Sequence, residues 1–235
     1  MADASTPAPG ACDVRGGERK PGASARERSS LPTKSERTRQ RILDAAAEVF
    51  RREGYAGARL SDIAALAGIQ TGSLYYHFDS REALVEEVLR LGVQMAWSHV
   101  REALAVLPPD ATALTRLETA IRAHAAAVLE ISNYTSANAR IFGQAPPEVR
   151  GRHFADQQAY GAYWNDLLEA AVRSGQLRHD LDLYVVRMLL FGAMNWAAEW
   201  YRPDRGRPAI LVAEHVVTVV LRGMVEPGTE LGRTH

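Results

Sequence analysis

The residues in this chain whose types and spacing could do chemistry lie in one short run, Thr71, Gly72, Ser73, Leu74, Tyr75, Tyr76, His77 and Phe78. They supply hydrogen-bond donors and acceptors but no nucleophile with a base and no paired acids, so the chemistry on offer is recognition. Small polar side chains at the exposed start of a helix are what a recognition helix presents to base edges in the DNA major groove. Successive residues of a helix are about 100° apart, so the four residues from Tyr75 to Phe78 cannot all face a core. Leu74 and Phe78, four apart, form the natural buried pair, with Tyr75 as a candidate third member. Tyr76 and His77 are then left outward, able to donate to phosphates. His77 has no Cys, His or carboxylate partner at metal-ligand spacing, so no metal is expected.

The elements around this run must position it. Ile63, Ala64 and Ala67 make a short apolar helix pattern, and Gly68 supplies the residue that can take positive φ where that helix ends. A tight turn through Ile69 and Gln70 leads into a second helix expected over 71–78. Two short helices joined by such a turn are the helix-turn-helix signature, although the spacing alone also fits an ordinary αα-hairpin. Upstream, Ile42, Ala46, Val49 and Phe50 trace an amphipathic helix that Gly54 closes. Ahead of its stripe come Lys34, Arg37, Arg39 and Arg41. Cations there oppose the helix dipole, so stability alone does not explain them; phosphate contact does, with a solvated face as the plainer account.

The net charge is zero, so any nucleic-acid footprint must come from local clustering of this kind. No apolar run approaches the roughly 20 residues that span a bilayer, and the N-terminus lacks a signal-peptide apolar region. The single cysteine, Cys12, can form no internal disulfide, which fits a cytoplasmic protein. Residues 1–33 are rich in Ala, Gly, Pro, Ser and charge and read as a disordered arm, with its basic residues nearly balanced by acids.

The run IAALAGIQTGSLYYHFDSREAL resembles the DNA-binding signature of the TetR family of one-component bacterial repressors, I-A-x-x-A-G-[VI]-S-x-G-[ST]-[LI]-Y-x-[HY]-F-x-[SN]-[KR]-E-x-L. The resemblance implies that Thr71, Ser73 and Tyr76 approach bases or phosphates, that His77 and Arg81 hold the backbone, and that Gly72 lets the helix lie close to DNA. Two positions depart from the pattern. Gln70 stands where the family has a helix-capping Ser, and Arg59 where it has Thr or Ser. Both are weak N-caps. Either Thr71 or Ser61 takes over by shifting the caps, or Gln70 and Arg59 are themselves used on DNA, which would change the operator preferred.

The implied fold is all-α, with a three-helix helix-turn-helix domain over 34–80, a helical-bundle ligand-binding and dimerisation domain over 81–226, and a tail over 227–235. The expected body helices are one over 81–107 ended by Pro108 and Pro109, and one capped by Asp110 or Thr112 that runs to about Phe142 with a break near Asn133. A third ends at Ser174 with Gly175 as its cap, a fourth opens at Asp180 or Asp182 and reaches Tyr201, and the last covers 208–224. No strand, repeat or phosphate-binding glycine loop is evident. The helix LYVVRMLLFGAMNWAAEWYRP is apolar nearly all round and must be covered on every side. With the Val-rich last helix it is expected to form the homodimer interface, as the family resemblance implies; a buried core helix of a monomer is the simpler alternative. Two recognition helices roughly 34–36 Å apart would then read successive grooves of a palindromic operator.

Candidate effector-binding residues are the aromatics and isolated polar groups of the body: Trp97, Arg140, Phe142, His153, Tyr160, Trp164, Phe191 and Asn195. Trp200, Tyr201, Arg202, Pro203 and Gly223 also make the C-terminal part similar to family members that control fatty-acid, sterol and aromatic-acid degradation. That similarity implies a small hydrophobic effector, an acyl-coenzyme A thioester, with Arg140, Arg150 or Arg152 meeting its phosphates. Control by a protein partner or by a hydrophobic ligand without coenzyme A is the alternative. No cofactor is expected, and His99, His124, His153, His179 and His215 are too scattered to suggest an enzyme.

Overall fold

A computed structural model describes residues 32–202 and 206–225. The expectations for most of the arm, for Cys12, for Pro203 and for the tail lie outside these residues. Among the described residues the chain forms nine α-helices and no strand beyond one isolated bridge between Leu177 and Val225. No helix there is long and apolar enough to cross a membrane.

Helix α1 (Lys34–Gly57) starts in a capping box: the Thr33 hydroxyl accepts from the Glu36 amide, and the Glu36 carboxylate accepts from the Thr33 amide. This device offsets the dipole penalty of the cations behind it. Gly54, at φ 71°, breaks the helix before its last residues. Helices α2 (Leu60–Leu66) and α3 (Thr71–Leu74) follow, joined through Gly68 at φ 67°. The second helix of the motif is therefore shorter than the expected 71–78 span. After Leu74 the chain closes in a turn, with the His77 and Phe78 amides both donating to the Leu74 carbonyl.

Helix α4 (Arg81–Ala105) is capped by Ser80 and runs from the head into the body. Helix α5 (Ala113–Ala126) is capped by Thr112 and passes into a π-helical turn over Ala127–Ile131. Ser132 caps α6 (Asn133–Ile141), which places the break one residue before Asn133. Helices α7 (Pro147–Arg173) and α8 (Leu183–Trp200, capped by Asp182) complete the layers with α9 (Ala209–Val216), whose last turn, Val217–Leu221, is again π-helical.

The buried side chains form two cores. One lies in the body around Trp164, Leu168, Leu117, Ile121 and Leu190. The other unites α1–α3 with the first half of α4 and also takes in Tyr134, Ala137 and Ile141 of α6. The chain position 80/81, expected as a domain boundary, thus falls inside one continuous core. Helix α6 can come this close to α4 because residue 92 is glycine: a Cβ there would stand 2.5 Å from the Tyr134 carbonyl oxygen. Alanine at this point would have to push the two helices apart.

Candidate DNA-binding edge and effector cavity

The head presents one polar edge. Leu74 and Phe78 are buried as the periodicity requires, which turns Tyr76 fully outward at 89% exposure. Tyr75, a candidate for the buried group, is exposed as well, because the helix ends before it and the turn swings its ring away from the core. Thr71 and Gly72 are exposed, and Ser73 and His77 are half-buried. Arg59 and Gln70 are the N-caps of α2 and α3, and neither side chain bonds to its own helix. The caps therefore do not shift to Ser61 or Thr71, and both departures from the family pattern leave exposed, uncommitted side chains.

The basic residues divide. Lys34, Arg37 and Arg41 are exposed, and the Arg41 guanidinium lies by Gly68 of the α2–α3 turn. Arg39 instead reaches α4: its Nη2 lies 3.2 Å from Glu87 Oε1, and its guanidinium sits 4.8 Å from the centre of the Phe78 ring. The hydrogen bond from Arg90, then that from Arg39, holds Glu87 below the usual carboxylate range against the opposing effect of burial. Arg81 also turns inward. Its Nη2 donates to the Tyr55 carbonyl and its guanidinium stacks 4.1 Å from the Tyr55 ring centre. Arg39 and Arg81, expected as phosphate clamps, are thus committed to joining α4 to Phe78 and to the end of α1.

In the body, α5 carries His124 into a ring of aromatics: Phe191 at 5.3 Å and Tyr160 and Trp164 at 5.8 Å between ring centres, with Trp97 beyond at 5.9 Å from Tyr160. Asn195 Oδ1 can only accept, so His124 Nε2 carries the proton at 3.1 Å, and Nδ1 accepts from the Tyr160 hydroxyl at 2.9 Å. Burial drives the His124 pKa from 6.5 to about 4, partly countered by the Asn195 hydrogen bond. Burial likewise pushes the Tyr160 hydroxyl upward, so it remains a donor. These groups line a cavity of about 40 Å³ together with Gly92, Asn138, Gln157 and Phe191. On its far side His153 Nε2 faces Gln157 Nε2 at 3.2 Å and Asn138 Nδ2 at 3.4 Å.

Of the residues expected to meet an effector, Tyr160, Phe191 and Asn195 line this cavity, and Trp164 and Trp97 back it. His153 stands behind Asn138 and Gln157, with Phe142 against its ring at 5.9 Å. Arg140 lies elsewhere, in a groove of about 330 Å³ with Arg51, Arg52, Arg202 and Tyr201. Arg152 is drawn to Glu86 at 2.7 Å, and Arg150 is exposed. The sequence pattern does not single out His124, Asn138 and Gln157; the available signal is a histidine between Ile121 and Ala125 on the apolar stripe of α5.

The family model described as bacterial regulatory proteins, tetR family, matches residues 42–88, and the model of the tetracyclin repressor-like C-terminal domain matches 110–224. The transcriptional repressor KstR2 of Rhodococcus jostii strain RHA1 is 30% identical over 196 residues, covering 80% of this chain and 92% of that protein. The chain belongs to the TetR family. It is therefore a DNA-binding transcriptional regulator, with the helix-turn-helix in α2–α3 and the family's helical C-terminal domain behind it. The solved structure of the ketosteroid transcriptional regulator KstR2 of Mycobacterium tuberculosis shares 28% identity, covers 80% of this chain and 95% of its own, and gives a TM-score of 0.65. The regulator FadR of Bacillus subtilis, solved in complex with stearoyl-CoA, shares the fold at 22% identity, covering 78% of this chain and 98% of its own with a TM-score of 0.64.

One face of this TetR-family regulator remains uncovered in the single chain. Tyr184, Val185, Met188, Leu189, Trp196 and Trp200 of α8 are exposed, as are Ile210 and Leu211 of α9 and Val219 just beyond it. Trp196 is 67% exposed. Within one chain the penultimate helix is covered on one face only, by way of Val186, Leu190, Met194 and Ala197.

Proposed function

We propose that this regulator is a homodimeric repressor that occupies a palindromic operator and leaves it when a small hydrophobic effector, an acyl-CoA thioester, enters the body. The observation that carries this reading is that one helix, α6, serves both sites. Its Thr135, Asn138 and Ala139 wall the body cavity. From the same helix, the Tyr134 hydroxyl donates to Asp44 of α1 at 2.7 Å and accepts from Gln40 at 3.0 Å, and Arg140 donates to the Arg51 carbonyl at 2.7 Å. Just beyond it, Gln144 accepts from the Tyr55 amide at 3.0 Å.

A ligand larger than the 40 Å³ cavity must displace the wall, and moving α6 moves α1 and the recognition edge with it. Ligand binding then favours a head spacing that no longer fits successive major grooves. Coupling of this kind amounts to about 1–3 kcal/mol, or roughly 5- to 150-fold in operator affinity. The exposed faces of α8 and α9 supply the second half of the dimer, since an apolar surface of this extent is unfavourable in water. Lys34, Arg37, Arg41, Thr71, Ser73, Tyr76 and His77 make the DNA contacts, and Gly72 allows the close approach. The acyl-CoA assignment is supported by the residues Trp200, Tyr201 and Arg202, by the arginine-lined groove beside Arg140, and by the acyl-CoA held in the FadR fold.

The test is to recover the DNA fragments that the purified protein selects and then titrate the complex with a panel of acyl-CoA thioesters. Selective, salt-sensitive binding to a two-fold symmetric site and its release by one class of thioester are expected. Release by no ligand would turn the reading toward a regulator answering to a protein partner.

A further inference from the structure

Gln70 is the residue that this regulator's function has not yet absorbed. It occupies the N-cap of α3 with an extended backbone, φ −76° and ψ 145°, and its side chain makes no hydrogen bond to the helix it precedes. Serine there would accept from the α3 amides; glutamine, one carbon longer than asparagine, does not. The side chain is exposed, immediately ahead of Thr71 at the start of α3. A second observation points outward from the same turn. Gly72 does not take positive φ, and a Cβ built on it would meet no atom within 4 Å. Nothing inside the protein requires glycine at this helical position, where it is unfavourable, so its missing side chain serves something that approaches from outside.

We propose that Gln70 is a specificity-determining residue, reading one adenine in each half of the operator. This rests on the head being the DNA-binding element, which the family assignment supplies. The reader is the side-chain amide; the four-residue helix contributes only its placement. A carboxamide offers one acceptor and two donors in a plane. It matches the N6 amino donor and N7 acceptor of adenine in the major groove, a pairing that guanine, with two acceptors there, cannot return. The neighbouring side chains Thr71 and Ser73 carry single hydroxyls, which accept from or donate to any base and discriminate little. Thus Gln70 gives up a helix cap and in exchange distinguishes this regulator's operator from those of relatives with serine at this position.

The test begins from the operator selected by the full-length wild-type protein. Each half-site position is replaced by all four base pairs, and binding is measured for wild type, Gln70→Ser and Gln70→Ala. Wild type is expected to prefer adenine at one position per half-site by between about 5- and 150-fold, the range for a bidentate base contact. In both variants that preference should fall to within about twofold, with every other position read as before. Replacing this adenine by 7-deazaadenine, which lacks N7, should weaken wild type and leave Gln70→Ser unaffected. Because Gln70→Ser restores a capping side chain, its melting temperature should rise, so lost discrimination cannot be ascribed to unfolding. If Gln70→Ser keeps the full base preference at every position, or loses affinity equally for all sequences, Gln70 is not the reader. If wild type selects no sequence at all, the repressor reading falls first and this inference with it.

Discussion

The edge proposed to meet DNA and the cavity proposed to take an effector are both polar surfaces made by helices, yet they are built in opposite ways. At the edge, Arg59, Gln70, Thr71 and Tyr76 stand in solvent and make no capping bond. In the cavity the polar groups are paired with one another instead: His124 is held between Tyr160 and Asn195, and His153 Nε2 faces Asn138 and Gln157. A surface meant for a polyanion that brings its own hydrogen-bonding groups can leave donors open to water at little cost. A buried group such as His124 loses its water and is stabilised by partners within the protein. The edge is thus built from residue choice alone, whereas the cavity depends on partners from five different helices.

This contrast can be broken most severely at the exposed face of α8 that we propose pairs two heads. Leu189→Arg combined with Trp196→Asp on the exposed face of α8 should leave a monomer and lower operator affinity on the order of 100- to 10,000-fold, since each head then binds alone. Sedimentation and anisotropy titration check it, and a monomer that binds like the parent would refute the pairing. The next effect belongs to the cavity. The folded pKa of His124, about 4, lies below its ordinary 6.5, so the unfolded chain binds the extra proton. The stability contributed by neutral His124 is therefore present above pH 6.5 and is lost as pH falls toward 4, by on the order of 3 kcal/mol. Chemical denaturation across that window should show this slope, and His124→Gln should flatten it.

Arg81 tests which side of the comparison a residue belongs to. With its guanidinium bonded to the Tyr55 carbonyl and stacked on the Tyr55 ring, Arg81→Ala should cost about 1–3 kcal/mol of stability, read as a lower melting temperature. A variant that melts like the parent but binds DNA weakly would return Arg81 to the phosphate clamp. The smallest structural effect is expected at Tyr76. Its ring is 89% exposed, so Tyr76→Ala should change stability by less than about 0.5 kcal/mol while weakening operator binding several-fold.

Much of the fold was legible residue by residue. Gly68 at the turn, Thr112 and Asp182 as caps, Pro147 at a helix start and Gly175 at a helix end act through their own backbone or nearest neighbours, and each stands where its chemistry required. The early end of α3 was not legible, because Tyr75, Tyr76 and His77 continue a helical pattern while Leu74 and Phe78 already satisfy the core through a tighter turn. The cavity was half legible. Large aromatics announced a pocket, but Asn138 and Gln157 look like surface residues until α6 and α7 are packed.

What the sequence determined by itself is the helix-turn-helix, its family, and the residue types exposed along the edge proposed to meet DNA, because these depend on side chains within a few positions of one another. Only the tertiary structure decided where Arg39 and Arg81 point, since their partners, Glu87 and the Tyr55 carbonyl, are 48 and 26 residues away. Only it decided that α6 belongs to the head's core as well as to the cavity wall. That outcome rests on Gly92, whose missing side chain brings two helices into contact, and on Tyr134 reaching Asp44 across 90 residues of chain. Local patterns specify elements; which element bears on which is set by packing, where a single absent methyl group or one buried hydroxyl selects the arrangement.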